Sequence, residues 1–428
     1  MFQIRNLAVL LIPLVGVFSS QYAAAQSQPL NLRPGDVVIA DTPQNMQRGA
    51  IRIYRANGTV DTVLQGQPLE SPGGIFIDRD GAILVSSYLY DGSVKNGVFR
   101  LDPAGGPVTN LVTTPLIDNF ALVRDTNGDI IVADGYRGLM RVHSDGSTEQ
   151  YSPNSLNEIA MGVDLDFDGN ILLACPPAAD NQTTPGTISS VDESGARTIL
   201  IQDANLIKSP NDLALAPDGS IMASNFTQYY PLTDQPRLVQ IERSGIITEL
   251  AVGGLLQKPK GVHVNEWGHI LVADTDEQAI LEFDPISGMQ HLVWDMSDGV
   301  DDGNPVDRPF AVDQVPSLWL RTDREAVGGA QAQVSVSGIS DYWGQPFALA
   351  ISRVHGATPL NSIFPNSQRT SHLDLSRAIL IHGQLPSNGA DWSYSGFVPN
   401  SLAGSALHLQ VFLPSHELLS NYVALPVL

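Results

Sequence analysis

Clustered carboxylates are the residues of this sequence whose spacing most directly suggests chemistry. The segment 295–307 carries Asp298, Asp301 and Asp302 close together in a Gly-rich stretch. Carboxylate oxygens at this density are the hard ligands that Ca²⁺ prefers. We therefore expect either a calcium site here or, because acidic loops are usually hydrated, a solvated surface loop.

A second acidic run spells the beginning of an EF-hand calcium loop. It reads Asp-x-Asp-x-Asp-Gly from Asp164 to Gly169. The twelfth position of such a loop is a bidentate Glu, whereas here it is Cys175. The run also coincides with a turn that recurs through the chain, so we interpret it as part of a structural repeat.

The repeat is an apolar run, a tight turn ending in Gly, a second apolar run and then a small or acidic residue. The turn glycines are spaced by 47, 41, 50 and 49 residues and are Gly81, Gly128, Gly169, Gly219 and Gly268. A third and a fourth apolar run follow the phrase before the next copy begins. Four strands every 40 to 50 residues or so is typical of a β-propeller blade, and no helical period of 3.6 residues is present.

The two ends of the repeat region predict the number of blades. Residues 36–41 resemble only the second run of the phrase, and the missing first run reappears as residues 308–315. A late strand that completes the first blade would close the ring and remove its open sheet edges. We therefore expect an all-β protein with a six-bladed β-propeller over residues 26–316, its first blade closed by residues 308–315.

The repeat stops at about residue 317. Alternating apolar runs then occur between Gly, Pro and Asn turns, at residues 333–337, 347–352, 378–382 and 407–412. This pattern predicts a small antiparallel β-sandwich over residues 317–428. The segment resembles a C-terminal module of exported bacterial repeat proteins, to which no activity is assigned.

The propeller region resembles NHL-type repeats. More narrowly, the run from Pro210 to Gly219 is similar to the senescence-marker-protein and gluconolactonase family of six-bladed propellers. The resemblance covers roughly residues 36–316. It implies a lactone hydrolase in which a Glu, an Asn and an Asp hold a divalent cation in the central channel, where the ion polarises the lactone carbonyl for attack by water.

Two of the positions that this resemblance implies are matched. Glu70 stands at the Glu position and Asn211 at the Asn position, so these are the candidate ligands for Ca²⁺ or another divalent cation. Lys260 stands at the Asp position and Met161 at that of an auxiliary Asn. Because an ammonium group cannot ligate a cation and would repel one, Lys260 could instead pair with Glu70.

Further polar residues fall near the predicted channel. Asn119, Asp212 and His263 join the residues above as candidates for a ligand site, although they could equally satisfy turns and a water-filled channel. Virginiamycin B lyases are propeller enzymes that use His and Glu near a metal. Here His263 and Glu266 lie in one strand and its turn, with no partner His at the equivalent position of another blade, so a lyase is not favoured.

Residues 1–25 predict a cleaved signal peptide. Arg5 precedes the apolar run from Leu7 to Phe18, and Ala23 to Ala25 fit the cleavage pattern. We expect a secreted or periplasmic protein. The net charge of −22 argues against a nucleic-acid partner, and no later stretch is apolar enough to predict a membrane span.

These features together predict an exported binding or scaffold protein. We expect a monomer that binds a small molecule, a glycan or a protein at the channel mouth or on the blade loops. The alternative is a divergent metal-dependent hydrolase of the gluconolactonase type with an incomplete ligand set. Whether the protein is an enzyme stays open at this point.

Overall fold

The computed structural model describes most of the chain. The described residues are 26–42, 49–88, 96–114, 116–155, 158–178, 184–203, 205–226, 235–295, 308–322, 325–360, 369–373, 375–416 and 418–428. The predicted signal peptide (1–25) and the acidic loop with Asp298, Asp301 and Asp302 lie outside these residues.

Six four-stranded antiparallel sheets, here called blades 1 to 6, form the first part of the molecule. From the inner to the outer strand, blade 1 contains Pro309–Gln314, Val37–Asp41, Ala50–Tyr54 and Val60–Gln65. Blade 2 contains Pro72–Ile77, Ile83–Ser87, Gly97–Leu101 and Thr109–Asn110. Blade 3 contains Asn119–Arg124, Ile130–Asp134, Gly138–Val142 and Thr148–Pro153. Blade 4 contains Gly162–Leu165, Ile171–Cys175, Thr187–Val191 and Arg197–Ile201. Blade 5 contains Pro210–Leu215, Ile221–Asn225, Arg237–Ile241 and Ile247–Val252. Blade 6 contains Pro259–Val264, Ile270–Asp274, Ala279–Phe283 and Gln290–Asp295. A short pair, Gln26–Ser27 with Gly106–Pro107, lies outside the blades.

The blades close into a ring. The inner strand of each blade contacts the inner strands of the two neighbouring blades, and the series returns from blade 6 through blade 1 to blade 2. Blade 1 joins the two ends of the repeat region, because Pro309–Gln314 pairs antiparallel with Val37–Asp41. The predicted all-β propeller fold is therefore confirmed.

Sequence dictates the recurrent turn between the first two strands of a blade. Its glycines have φ between +82° and +88°, a backbone conformation that other residues rarely adopt. In blade 3 the Asp125 carboxylate accepts hydrogen bonds from the backbone N–H groups of Asn127 and Asp129, and Asp166 and Asn265 do the same in blades 4 and 6. The EF-hand-like run is thus a blade turn, as the repeat predicted.

Apolar side chains from alternate strand positions fill the space between neighbouring blades. Between blades 1 and 2, for example, Val38, Ile51 and Ile53 pack with Ile83 and Phe99, all of them buried. Cys175 belongs to such a layer between blades 3 and 4 and has no exposed surface. These layers hold the inner strands at a fixed distance from the ring axis.

A β-sandwich follows the propeller. One sheet contains Leu318–Thr322, Gln331–Gly338 and Trp392–Phe397; the other contains Ile379–Gln384, Pro346–Ser352, Ser405–Leu413, Leu418–Leu419 and Val423–Val427. His355–Pro359 pairs with Thr370–Leu373, and single 3-10 turns occur at Ser340–Tyr342, Leu375–Arg377, Asn400–Leu402 and Pro414–His416. A shared apolar core that includes Leu320, Val336, Phe347 and Val411 joins the two large sheets. No helix in the described part of the chain has the length and apolar character needed to cross a bilayer.

The sandwich docks on the turns that end the inner strands. Arg79 Nη1 of blade 2 donates to the Ala424 carbonyl at 2.7 Å, and Thr370 N donates to the Pro217 carbonyl of blade 5 at 3.1 Å. In blade 6 the Glu266 carboxylate accepts from Ser317 N at 2.8 Å. The sandwich therefore covers the end of the central channel at which the inner strands finish.

Candidate functional site

A cavity of about 360 Å³ occupies the ring axis beneath the sandwich. The inner strands of all six blades line it, and the sandwich contributes a few side chains that include Arg369, His372, Gln410 and Tyr422. Volumes of a few hundred Å³ with mixed apolar and polar walls are typical of small-molecule sites. The cavity is therefore the candidate functional site.

Large apolar side chains pack at the level where the inner strands begin. The rings of Tyr88 and Phe120 lie 5.3 Å apart, those of Tyr88 and Phe310 lie 5.9 Å apart, and Met161 packs in the same cluster. Phe120, Met161 and Phe310 also line the cavity. One end of the site is therefore apolar, and Met161 supplies apolar surface at the position where the family resemblance implies an auxiliary Asn.

Lys260 and Asn211 form a direct pair at this apolar end. Lys260 Nζ donates to Asn211 Oδ1 at 3.1 Å and lies 5.4 Å from the centre of the Phe310 ring. The lysine thus pairs with Asn211 in place of Glu70, the partner considered from the sequence. No group of three or more His, Cys, Asp or Glu side chains suited to a metal ion occurs among the described residues.

Two of the sequence-derived candidates lie away from the cavity. The Glu70 carboxylate accepts a hydrogen bond from Gln67 Nε2 at 3.1 Å, and Glu70 is not part of the cavity wall. The fully buried Asn119 donates through Nδ2 to the carbonyls of Ser87 and Gly97, so its amide ties blade 3 to blade 2. Asn211, Asp212, Lys260 and His263, by contrast, all line the cavity.

A belt of hydrogen bonds runs around the axis from one blade to the next. Asp164 of blade 4 accepts from Leu215 N of blade 5 at 2.7 Å, and Asp212 of blade 5 accepts from Val262 N of blade 6 at 2.9 Å. His263 Nδ1 of blade 6 lies 3.0 Å from Asp313 Oδ1 of blade 1.

The belt continues into blades 2 and 3. The second oxygen of Asp313 accepts from Ile77 N of blade 2 at 2.7 Å, and Arg124 of blade 3 donates through Nε and Nη2 to Asp78 of blade 2 at 2.6 Å. Sequence reasoning missed Asp164 and Asp313 as site residues. The signal that could have found them is a carboxylate inside an otherwise apolar inner strand.

Burial changes the acidity of the carboxyl groups in this belt. Desolvation raises the pKa of Asp212 to about 7 and that of Asp164 to about 6, although each accepts backbone hydrogen bonds that act in the opposite direction. Near neutral pH Asp212 is therefore present in both protonation states. Such a carboxyl group can donate as well as accept a hydrogen bond.

His263 is held in one orientation by Asp313. Burial lowers the pKa of His263, but the hydrogen bond and the negative charge of Asp313 outweigh this and raise it above the usual value. This contact uses Nδ1 of the imidazole, and His263 is part of the cavity wall. An imidazole oriented by a carboxylate, with its other nitrogen available, can exchange a proton with a bound molecule.

No protein-family profile matches the chain, and no curated protein matches it. Solved structures resemble it at low identity. The virginiamycin B lyase of Staphylococcus aureus is 12% identical over 81% of this chain and 93% of its own, with a TM-score of 0.41.

Two further structures are similar to the same degree. A gluconolactonase of Xanthomonas campestris is 13% identical over 74% of this chain and 95% of its own, with a TM-score of 0.43. A streptogramin B lyase is 13% identical over 62% of this chain and 85% of its own, also with a TM-score of 0.43. At these identities the likeness concerns the β-propeller fold alone.

Proposed function

We propose that this protein binds a small, partly apolar organic molecule in the cavity between the propeller and the sandwich. The observation that carries the proposal is the cavity itself, which combines an apolar end with a belt of titratable side chains. The sandwich that covers it supports a ligand enclosed by both parts of the chain, rather than one on the outer blade loops.

The wall chemistry indicates the kind of ligand. Phe120, Phe310 and Met161 offer apolar contact, while Asp164 and Asp212 offer carboxyl groups that have lost most of their hydration. A hydrogen-bond donor or a cationic amine on the ligand would replace that hydration. We therefore propose a ligand with an apolar body and an amine or hydroxyl group.

Matched probes test this proposal. We expect 2-phenylethylamine, 2-phenylethanol or other fragments of this pattern to raise the melting temperature of the full chain, with binding confirmed by calorimetry. Asp212→Asn should weaken amine binding about tenfold at pH 8 and leave the alcohol nearly unchanged, because only the carboxylate carries charge. Asp168→Asn, on an exposed blade turn, is the control. If the affinity for the amine is unchanged in both Asp212→Asn and Asp164→Asn, the cavity is not the binding site.

The second candidate function is hydrolysis of a lactone or ester. Here the favouring observation is the His263–Asp313 pair, since an oriented imidazole can act as a general base on water. Aryl esters and simple lactones are the substrates to try. Activity that persists in His263→Gln would exclude this role, whereas loss of turnover with unchanged ligand binding would establish it.

The location and division of the chain complete the proposal. We propose that residues 1–25 direct export and are removed, and that residues 26–316 and 317–428 are two folding units acting as a monomer. Amino-terminal sequencing of the exported protein tests the cleavage, with Gln26 expected at the new terminus.

A further inference from the structure

Lys260 is an unusual cavity residue because its amine is buried without a counter-ion. Only 4% of the residue is exposed, and its Nζ contacts Asn211 Oδ1 and the face of Phe310. In the described part of the chain the amine forms no salt bridge, and Asp276 acts on it only as a more distant charge. The side chain nevertheless belongs to the cavity wall.

The physical consequence is that the neutral form of the amine is favoured. A buried, unpaired ammonium loses several kcal/mol of hydration, and a cation–π contact returns only about 2 kcal/mol even when desolvated. Burial, together with the like charge of Lys258, lowers the pKa of Lys260 well below its ordinary value. A neutral primary amine is a nucleophile, whereas an ammonium ion is not.

We propose that Lys260 is a covalent attachment site for aldehyde or ketone ligands that enter the cavity. This inference rests on the proposed function of the cavity as a ligand site and adds the chemical class of the group that meets its apolar end. The carbonyl group would point toward Lys260 while the polar group of the ligand meets the belt.

The dimensions of the inner strand fit such a ligand. Lys260 and His263 lie three residues apart on one strand, which corresponds to about 10 Å along the channel. A molecule of this length, with an apolar body, reaches from the amine to the belt of carboxyl groups. The two ends of the cavity therefore recognise different groups of the same ligand.

The reaction balances without an oxidant or a metal. The Nζ lone pair attacks the carbonyl carbon, a C–N bond forms, and one proton moves from nitrogen to the former carbonyl oxygen to give a carbinolamine. Loss of that oxygen as water, with a second proton from nitrogen, gives the neutral imine.

Reductive trapping tests the proposal on the full chain. Propanal and sodium cyanoborohydride at pH 7 convert an imine into a stable secondary amine, which peptide mapping by mass spectrometry assigns to individual lysines. We expect Lys260 to be alkylated about tenfold faster than Lys258 or Lys208, because burial favours the neutral amine of Lys260 and only the neutral form of an amine attacks a carbonyl group. Lys260→Met should abolish the fast phase, and Lys208→Met should retain it.

Two outcomes would overturn the inference. One is alkylation of Lys260 no faster than that of Lys258, and the other is an equal rate at Lys260 in the urea-unfolded chain. Peptide mapping of the unsubstituted protein decides the matter even if Lys260→Met fails to fold. Calorimetry with 2-phenylethylamine separates this failure from that of the proposed function: amine binding without fast alkylation refutes only the covalent role of Lys260.

Discussion

Single residues in the ring axis set the chemistry of this protein. Asp164, Asp212 and Asp313 each satisfy a backbone N–H of the next blade, so they are structural links and cavity groups at once. An inner strand leaves one edge without a sheet partner, and these carboxyl groups supply the missing acceptors. The raised pKa values of Asp164 and Asp212 are the consequence of the burial that this role imposes.

Asp212→Asn should change how stability depends on pH. Burial raises the pKa of Asp212 to about 7, so between pH 4 and 7 the folded state holds a proton that the unfolded state has lost. The stability gained from that proton is present at low pH and disappears as the pH rises through 7. Asn is neutral throughout and can still accept from Val262 N.

We therefore expect the stability of the variant, relative to the unsubstituted chain, to rise between pH 5 and pH 8 by about 1.4 kcal/mol for each pH unit from 5 to 7. Urea unfolding at the two pH values measures this. The exposed turn substitution Asp168→Asn should leave the difference unchanged. Parallel pH profiles for Asp212→Asn and the unsubstituted chain would contradict the assignment of a buried, partly protonated carboxyl.

The closure of blade 1 shows how one strand end holds the ring together. Asp41, the last residue of its strand, accepts from Arg308 N at 2.8 Å at the start of the closing segment. Its other oxygen accepts from Arg52 Nε and Nη2 at 3.3 and 3.2 Å, and neither side chain has exposed surface. Strands that come from opposite ends of the propeller are thus joined through one carboxylate.

Asp41→Ala should destabilise the protein by about 3–5 kcal/mol, because it removes the carboxylate that accepts two hydrogen bonds from the buried Arg52 guanidinium. The matched control is Asp134→Ala at the same strand position of blade 3, where the carboxylate accepts from backbone N–H groups and, among the described residues, pairs with no arginine side chain. That change should cost about 1–3 kcal/mol. Equal losses in urea unfolding would show that the buried ion pair contributes nothing to ring closure.

At the scale of the whole molecule, the notable feature is a cluster of three histidines where the sandwich meets the propeller. The rings of His355 and His408 lie 5.8 Å apart, His372 stacks on Tyr422 at 5.0 Å, and Phe167 of blade 4 lies 4.4 Å from His372. His408 Nδ1 and Tyr422 Oη are 2.6 Å apart. His355 Nε2 and His372 Nδ1 have no hydrogen-bond partner among the described residues.

Acid should weaken this contact. Burial lowers the pKa of His355 and His408 to about 4 and that of His372 to about 3, each from an ordinary value of 6.5. Neutral histidines therefore favour the docked state fully above pH 6.5. As the pH falls from 6.5 toward 4, the undocked or unfolded state takes up protons that the docked state excludes. The free energy of docking therefore weakens by up to about 1.4 kcal/mol per pH unit for each histidine.

His372→Phe should flatten this acid dependence, because phenylalanine keeps the ring contacts with Phe167 and Tyr422 and removes a buried, unpaired nitrogen. Hydrogen exchange of blade 4 and of the strand Thr370–Leu373 at pH 7 and pH 5 measures the effect. His382→Phe, at an exposed strand position of the sandwich, should behave like the unsubstituted chain. The same acid response in both variants would place the pH dependence elsewhere.

Local pattern determined most of the architecture. Apolar residues alternate because successive side chains of a strand point to opposite faces, and glycine recurs in turns that need a positive φ. Both signals depend only on residues close together in the sequence, so they can be recognised without the tertiary structure. The spacing of Gly81, Gly128, Gly169, Gly219 and Gly268 therefore predicted the blades, and the incomplete phrase at residues 36–41 predicted the ring. The same alternation predicted the sandwich.

Only the tertiary structure decided which side chains meet at the axis. Asp313 and Ile77 are 236 residues apart in the chain, and Lys260 and Asn211 are 49 apart, so their contacts exist only once six sheets have closed at a particular radius. Glu70 and Asn119 have the right residue types for a channel site but lie away from the cavity wall. The cavity and its titratable belt follow from ring closure and from the docked sandwich. Residue type sets the chemistry of a side chain, whereas long-range packing sets its position in the molecule.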